Sequence, residues 1–223
     1  MIKTMNNTLV NTKIDIQDLG KLLYKKTWNY QKELLKKRSN NEINDTLILV
    51  EHEPVFTLGK NADENHILQN CPDNIKTYHI ERGGDVTYHG PGQLVGYPIL
   101  DLRNYKKSIS WYMRSLEQVI IDTLFDYNIT ANRKKGLTGV WCNNEKIAAL
   151  GVRVSRWITM HGFSLNIDPN LNHYKNIIPC GIFEHGVTSM SGVLNKTVDY
   201  EHVKKTIIKK FLYQFSIDYT LDK

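Results

Sequence analysis

The chain has 223 residues, with 29 Lys and Arg against 23 Asp and Glu, so that its formal net charge is +6 at pH 7. Its three cysteines are too widely spaced for a disulfide framework, and no apolar run approaches the ~18 residues that a membrane span needs. These properties exclude a disulfide-rich secreted protein and a membrane protein, and they predict a cytoplasmic protein. A chain of this length most often forms one domain, and we expect a single domain over residues 1–223.

In chain order, hydrophobic periodicity predicts a first helix that begins at Asp15 or Asp18 as its cap and ends near Arg38. Apolar runs of strand length follow at 46–50, 55–58, 77–80, 86–88 and 94–100. Then come a helix over about 110–127, a hairpin of 139–142 and 147–154, a strand at 157–167 and a last helix over about 199–215. Because strands and helices do not alternate regularly, the predicted fold class is α+β, with a mixed or antiparallel sheet flanked by helices.

The positive charge is spread along the chain in short pairs and triplets, such as Lys36-Lys37-Arg38 and Lys209-Lys210. No basic stretch is interleaved with aromatic residues, the pattern that stacks nucleic-acid bases. The charge is equally consistent with solvated helix faces and with attraction of an acidic carrier protein.

The stretch from Arg82 to Pro98 contains five glycines and two prolines around an Arg, a His and two Tyr. Glycine lets the main chain approach a ligand closely. The stretch matches neither the dinucleotide G-x-G-x-x-G pattern nor a P-loop. From the residues alone it is either a wall of a binding site or a long turn between two strands.

Cys180 has the most informative setting of the three cysteines, because Pro179 and Gly181 predict a turn that would leave its thiol accessible to a substrate. Cys142 lies within a strand pattern and is expected inside a hairpin face. The residues alone leave two roles open for Cys180, a nucleophile or a small core residue. A nucleophilic cysteine reacts as its thiolate and needs a base or a cation nearby.

Lys146 precedes the apolar run 147–151, which would bury the stem of its side chain. Burial favours the neutral amine, which could exchange a proton with a thiol, whereas an exposed Lys146 would be a solvated charge. The eight histidines occur singly, with no H-x-x-x-H or Cys/His pairing, so no metal site is expected.

Five segments together closely resemble the octanoyltransferases of lipoate biosynthesis and follow one another in that family's order. They are Glu51–Gly59, Arg82–Pro98, Gly139–Val152, His161–Asn166 and Ile178–Ser189. The resemblance implies the fold shared by biotin and lipoate protein ligases and an acyltransferase activity. Asp85 departs from the family pattern, which has a neutral residue there, and leaves the local charge of the site open.

The resemblance also implies a Cys180–Lys146 catalytic dyad, with Cys180 as the acyl-carrying nucleophile. The substrate-contacting residues that it implies are Arg82, Gly83, Gly84, Asp85, Val86, Thr87, Tyr88, His89, Ala149, Leu150, Gly151, Gly162, Phe163 and Ser164. Backbone N–H groups of 149–151 and near Cys180, together with the His89 side chain, are expected to stabilise the reaction's oxyanion. For the acyl chain, the expected apolar lining is Val86, Leu94, Leu150 and Phe163.

The implied partners are octanoyl-acyl carrier protein as donor, and as acceptors the lipoyl domains of 2-oxoacid dehydrogenase complexes and the glycine cleavage H protein. Neither ATP nor a metal or other cofactor is expected, and neither is a nucleic acid or membrane partner. We expect a monomer.

Two other functions remain as alternatives. An ATP-dependent lipoate ligase shares the fold and an Arg-led glycine loop, but it has no use for an acyl-carrying cysteine. A basic, non-enzymatic binding module would explain the charge, but it leaves the Pro-Cys-Gly turn unexplained. Octanoylation of a lipoyl domain without ATP would distinguish the transferase from the ligase. Loss of activity in Cys180→Ala would distinguish it from a non-enzymatic binding module.

Overall fold

Ten strands and four α-helices make up the part of the chain that the computed structural model describes, residues 13–68, 75–177 and 186–215. The strands are β1 (Ile14–Lys21), β2 (Asp45–Glu51), β3 (Val55–Leu58), β4 (Lys76–His79), β5 (Val86–His89), β6 (Gln93–Ile99), β7 (Asn132–Lys134), β8 (Leu137–Cys142), β9 (Glu145–Ser155) and β10 (Ile158–Asn166). The helices are α1 (Tyr24–Ser39), α2 (Ile109–Phe125), α3 (Met190–Leu194) and α4 (Tyr200–Phe215). None of the helices in these three ranges is long and apolar enough to cross a membrane.

The strands form two sheets of mixed direction. The larger sheet has the order β1-β2-β6-β10-β9-β8-β7, with β1 and β2 parallel and the other neighbours antiparallel. The smaller sheet has the order β4-β3-β5, in which β4 is parallel and β5 antiparallel to β3. This arrangement confirms the predicted α+β class and its mixed sheet.

Alternate residues along the strands of the large sheet pack into two separate hydrophobic cores, because successive side chains of a strand point to opposite faces. Leu47, Leu49 and Leu94 pack against α2 and α4 on one face. Ile48 and Val95, their neighbours in sequence, pack against α1 on the other. The sheet therefore lies between helices, and every residue of β6, and of β2 except Glu51, is buried.

The second and last predicted helices are confirmed. α2 begins directly after Ser108, whose hydroxyl accepts a hydrogen bond from the Trp111 N–H at 3.2 Å, and this N-cap fixes its start. α4 buries Val203, Ile207, Phe211 and Phe215 at a spacing of four residues, as predicted. The predicted hairpin is confirmed as β8 and β9.

The prediction that the first helix begins at Asp15 or Asp18 is wrong, because residues 14–21 form β1. Asp18 does accept a backbone hydrogen bond, from the Gly20 N–H at 3.0 Å, but this bond forms a turn in which Gly20 has a φ of +58°. The helix starts only at Tyr24, whose N–H donates to the Glu53 carboxylate at 3.0 Å. β7 and α3 were not predicted, because elements of three and five residues are too short to show a period.

A buried ion pair joins the end of α1 to the large sheet. Arg38 is 7% exposed, and its Nε donates to Asp45 Oδ1 at 2.7 Å. The same carboxylate accepts from the Asp101 N–H at 2.9 Å and, through Oδ2, from the Tyr105 hydroxyl at 2.7 Å. Asp45 therefore connects α1, β2 and the turn that follows β6.

Arg38→Met should lower the free energy of unfolding by roughly 3–5 kcal/mol, because the Asp45 carboxylate would stay buried without its cation. A urea titration followed by circular dichroism measures the loss. Lys37→Met, one residue earlier, removes an exposed pair with Glu33 and should leave the urea midpoint almost unchanged. Equal losses in the two variants would contradict the assignment of stability to the buried pair.

Candidate active site

A cavity of about 630 Å³ lies between strands of both sheets. It runs along the parts of β9 and β10 where Gly151 pairs with Gly162, Leu150 with Phe163, and Ala149 with Ser164. The predicted site residues that line it are Arg82, Gly83, Gly84, Asp85, Val86, Thr87, His89, Lys146, Ala149, Leu150, Gly151, Gly162, Phe163 and Ser164. The structure therefore brings three distant segments of the sequence together around one cavity.

The glycine loop, residues 82–85, is held against β9 by backbone contacts that leave no room for side chains. The Gly83 N–H donates to the Val152 carbonyl at 3.0 Å. A Cβ on Gly151 would lie 2.9 Å from Arg82 Cδ, and a Cβ on Gly59 would lie 2.2 Å from the Gly84 carbonyl oxygen. Glycine is therefore required at positions 59 and 151 for the loop to close over the strand.

Arg82 anchors the loop to β3. Its Nη2 donates to the Thr57 carbonyl at 2.6 Å and to the Thr57 hydroxyl at 3.0 Å, and the side chain is 7% exposed. Asp85, the residue that departs from the family pattern, is engaged by neighbours: Oδ1 accepts from the Val86 N–H at 2.7 Å, and Oδ2 lies 2.6 Å from His66 Nδ1. Both carboxylate oxygens of Asp85 are therefore hydrogen-bonded inside the loop region.

Lys146 lies at the start of β9 and is buried, as predicted from the apolar run that follows it. Its Nζ lies 4.8 Å from the centroid of the Trp141 ring. Its backbone N–H donates to the Gly186 carbonyl at 2.9 Å, and its carbonyl accepts from the Thr188 N–H at 3.0 Å. Residues 186–188 therefore run beside Lys146 as a short parallel bridge centred on Val187.

Cys180 lies outside the described residues. The chain enters the described part again at Gly186, six residues later, directly beside Lys146. On both sides of the 178–185 segment, described residues line the cavity, Tyr174 before it and Val187 after it. Cys142 is buried in the hairpin, as predicted, and burial raises the pKa of its thiol to about 11, which opposes thiolate formation.

Two residues expected at the site, Tyr88 and Leu94, do not line the cavity. Tyr88 does not line the cavity: its ring packs against Phe56 and Tyr174 and stacks on His173 at a centroid distance of 4.9 Å. Thr87 and His89, its immediate neighbours in β5, line the cavity, and the alternation of side chains along a strand separates Tyr88 from these two. Leu94 does not line it either, because its side chain points into the core formed with α2 and α4.

Three buried histidines lie at or next to the cavity, and all are neutral at neutral pH: His89 and His161 line it, and the His52 ring packs against that of His89 at a centroid distance of 6.1 Å. Burial lowers the pKa of His52 to about 4 and that of His89 to about 3, and it also lowers the pKa of His161. His52 Nδ1 lies 2.8 Å from the Leu22 carbonyl and therefore carries the proton, so Nε2 accepts from the Tyr97 hydroxyl at 2.9 Å. Both ring nitrogens of His52 are thus hydrogen-bonded within the protein.

His161 adopts an unusual backbone conformation within β10, with a φ of +59°. Its N–H donates to Gln31 Oε1 at 2.9 Å, and its ring Nε2 lies 3.6 Å from Glu81 Oε2. Glu81 also accepts from Trp28 Nε1 at 2.9 Å, which joins α1 to this corner of the cavity.

Several other residues line the cavity that were not among the predicted site residues. They are Tyr24, Asn61, Val95, Ile109, Met113, Asn166 and Tyr174. Most of them lie in predicted strands and helices, where a period in the sequence indicates burial but does not distinguish a cavity from a core. Among the described residues, no group of three or more His, Cys, Asp or Glu could hold a metal ion.

Residues 23–212 match the family model of the lipoyl protein ligase A/B catalytic domain. An octanoyltransferase of Gloeobacter violaceus is 52% identical over 164 residues, which cover 73% of this chain and 73% of the relative. An octanoyltransferase of Flavobacterium johnsoniae is 46% identical over 94% of this chain and 99% of its own length. A solved lipoate-protein ligase A bound with ATP superposes with a TM-score of 0.71 at 14% identity, covering 93% of this chain and 87% of that one, and confirms the predicted ligase-like fold.

The buried neutral histidines should make stability depend on pH. Their folded-state pKa values lie below the ordinary 6.5, so only the unfolded chain gains protons at first as the pH falls. The stability that the neutral rings contribute to the folded state is fully present above about pH 6.5. It is lost progressively as the pH falls toward the folded-state pKa values of about 4 for His52 and 3 for His89. Each can add a slope of up to about 1.4 kcal/mol per pH unit.

Urea unfolding of the wild type, His52→Gln and His79→Gln between pH 7 and 5 checks this dependence. In His52→Gln, the free energy of unfolding should fall less steeply with decreasing pH than in the wild type, because one buried histidine is gone. His79→Gln, which changes an exposed side chain, should show the wild-type dependence on pH. A wild-type free energy of unfolding that does not fall between pH 6.5 and 5 would contradict the neutral, buried state.

Proposed function

The chain belongs to the octanoyltransferases of lipoate biosynthesis, within the lipoyl protein ligase A/B catalytic family, and on this premise we propose how its residues move the octanoyl group. The donor is octanoyl-acyl carrier protein. The acceptor is the ε-amine of a lysine on a lipoyl domain of a 2-oxoacid dehydrogenase complex or on the glycine cleavage H protein. Cys180 carries the octanoyl group between them as a thioester, without ATP or a metal.

In the first step, Lys146 in its amine form takes the proton of the Cys180 thiol, and the thiolate attacks the carbonyl carbon of the donor thioester. The bond from that carbon to the sulfur of the phosphopantetheine arm breaks, and the leaving thiolate takes the proton back from Lys146. The products are octanoyl-Cys180 and the free carrier thiol, and Lys146 is again an amine.

In the second step, the acceptor amine attacks the carbonyl carbon of octanoyl-Cys180. The amine nitrogen loses a proton to Lys146, the bond from carbon to the Cys180 sulfur breaks, and Lys146 returns the proton to that sulfur. An amide and the free thiol of Cys180 result. Backbone N–H groups of 149–151 and near Cys180 are the donors that we propose for the oxyanion of both steps.

The observation that carries the proposal is the bridge between Lys146 and Val187. It supports the dyad because the chain that leaves Cys180 returns within six residues to a hydrogen bond with the Lys146 backbone. The position of Lys146 also supports the dyad, because its buried side chain lies beside the Trp141 ring and lines the cavity in which the acyl transfer would occur. The octanoyl chain would lie along Val86, Leu150 and Phe163.

The surface around the cavity mouth supports docking of an acidic carrier. Ile109 lines the cavity and is 50% exposed, and Gly136 lines it from the turn between β7 and β8. Exposed lysines lie close in sequence to both, Lys107 before α2 and Lys135 before Gly136. Charge attraction between these lysines and an acidic partner would raise the encounter rate.

The dyad is tested by single-turnover acylation with octanoyl-carrier, followed by intact mass, across a pH series. Cys180→Ala should gain no octanoyl group, because it has no atom to carry one. Lys146→Ala should acylate slowly at neutral pH and recover partly as the pH approaches the ordinary thiol value of about 8.5, since it keeps the nucleophile but lacks the base.

Lys146→Arg distinguishes a base from a charge, because Arg keeps the positive charge but cannot give up its proton. Arg should fail to restore the rate if Lys146 transfers a proton. A wild-type acylation rate in Lys146→Ala over the whole pH range would remove Lys146 from the mechanism, and a requirement for ATP with free octanoate would favour the ligase alternative.

Docking is tested by charge reversal at the mouth. Lys107→Glu/Lys135→Glu should raise KM for octanoyl-carrier several-fold at low salt and leave KM for octanoyl-pantetheine, a small donor, unchanged. The matched control is Lys205→Glu/Lys209→Glu, which makes the same charge change on the exposed side of α4. Equal effects of the two double variants would show that net charge, and not this surface, guides the carrier.

A further inference from the structure

A buried hydrogen-bond relay joins His89 at the cavity to the segment beside Lys146. Gln93, which has no exposed surface, lies between His89 Nδ1 at 2.7 Å and Asn166 Oδ1 at 2.8 Å. Its Nε2 also donates to the Tyr174 hydroxyl at 3.0 Å. Asn166 Nδ2 in turn donates to the Thr188 carbonyl at 2.9 Å. The relay therefore spans β5, β6, β10 and residues 186–188.

The direction of every bond in this relay follows from the Thr188 carbonyl. A backbone carbonyl can only accept, so the amide group of Asn166 must face it with Nδ2 and must turn Oδ1 toward Gln93. Gln93 then has to donate with Nε2, which leaves Oε1 facing His89. Because Oε1 can only accept, His89 Nδ1 carries the proton.

The neutral His89 ring therefore has its lone pair on Nε2, the nitrogen away from Gln93. Burial lowers the pKa of His89 to about 3, and the charged or titratable groups that surround it are His52, Arg82 and His161, with the Tyr24 ring stacked at 6.0 Å. In this state Nε2 accepts hydrogen bonds and cannot donate one. This tautomer does not favour the expected role of the His89 side chain in stabilising the oxyanion.

We propose that His89 Nε2 accepts a hydrogen bond from a substrate N–H group in the cavity, and that Gln93 and Asn166 are positioning residues that hold His89 in this tautomer. The inference rests on the proposed function for the identity of the substrates. Two substrate groups have the required chemistry: the amine of the acceptor lysine, and the first amide of the phosphopantetheine arm.

Such a contact would orient the substrate group that donates the hydrogen bond. An amine that donates one N–H to His89 keeps its lone pair free to attack, and an arm amide held in the same way fixes the thioester beside it. The relay also holds Thr188, whose N–H donates to the Lys146 carbonyl. One set of buried amides therefore positions both His89 and the backbone of Lys146.

The tautomer is tested directly by NMR of wild-type protein with ¹⁵N-labelled histidine, with His89→Asn used to assign the signal. Nδ1 should carry the proton and Nε2 should remain unprotonated from pH 8 to pH 5. A proton on Nε2, or a titration of His89 within this range, would overturn the inference. Because this measurement does not depend on activity, it stands even if the proposed carrier-dependent reaction fails.

The substrate contact is tested with Gln93→Glu. A carboxylate 2.7 Å from Nδ1 favours the protonated ring, which places a proton on Nε2 and turns the acceptor into a donor. The half-reaction that uses His89 should then slow by about tenfold or more at low pH and recover as the ring loses its proton at higher pH. Loss in acylation from octanoyl-carrier identifies the arm amide, and loss in transfer from octanoyl-enzyme to a lipoyl domain identifies the lysine amine.

Gln214→Glu is the matched control, because it adds the same charge on α4, where its amide bonds only Ser115 among the described residues. It should leave both half-reactions and their pH profiles unchanged. If NMR shows a protonated His89 in Gln93→Glu while both half-reactions keep the wild-type pH profile, His89 does not contact substrate. A loss by the same factor at every pH would likewise reduce Gln93 to a structural role.

Discussion

The hydrogen bond from the Gly83 N–H to the Val152 carbonyl is the contact on which the site depends. It holds the glycine loop on β9, and because the loop leads directly into β5, it also fixes the small sheet over the large one. The cavity is the space that remains between them. Side chains at Gly59 or Gly151 would push the loop away, so the cavity exists because two positions on neighbouring elements have no side chain.

The cavity wall combines polar side chains with a low charge. Its buried histidines are neutral because burial disfavours their protonated forms, and the Arg82 guanidinium is hydrogen-bonded to Thr57. A wall of this kind can hold an apolar acyl chain without presenting an uncompensated charge to it. Lys146, near the start of β9, lines the cavity beside residues 186–188.

Two β-prone runs about the Asn143-Asn144 turn predicted the β8–β9 hairpin, and periodicity predicted α2 and α4 because each has a long, regular apolar face. It placed the first helix too early, because the pairing of β1 with β2 depends on residues about 30 positions away that no local pattern reveals. The glycine-rich loop and Lys146 could be identified from their motifs. The role of Gln93 could not, since its partners Asn166 and Tyr174 are 73 and 81 residues away, and a hydrogen-bond direction is visible only when all partners are in place.

The donor-to-acceptor direction of the hydrogen bonds in the relay is set by a main-chain atom, the Thr188 carbonyl oxygen. This affects how the site tolerates mutation. Any amino acid at position 188 retains the carbonyl, so substitutions there cannot reverse the relay through the side chain. The two amides are different, because deamidation of Asn166 or Gln93 replaces an N–H donor by a carboxylate oxygen of nearly the same shape. Deamidation of Gln93 would thus favour the protonated His89 ring, whereas deamidation of Asn166 would place a carboxylate oxygen against the Thr188 carbonyl.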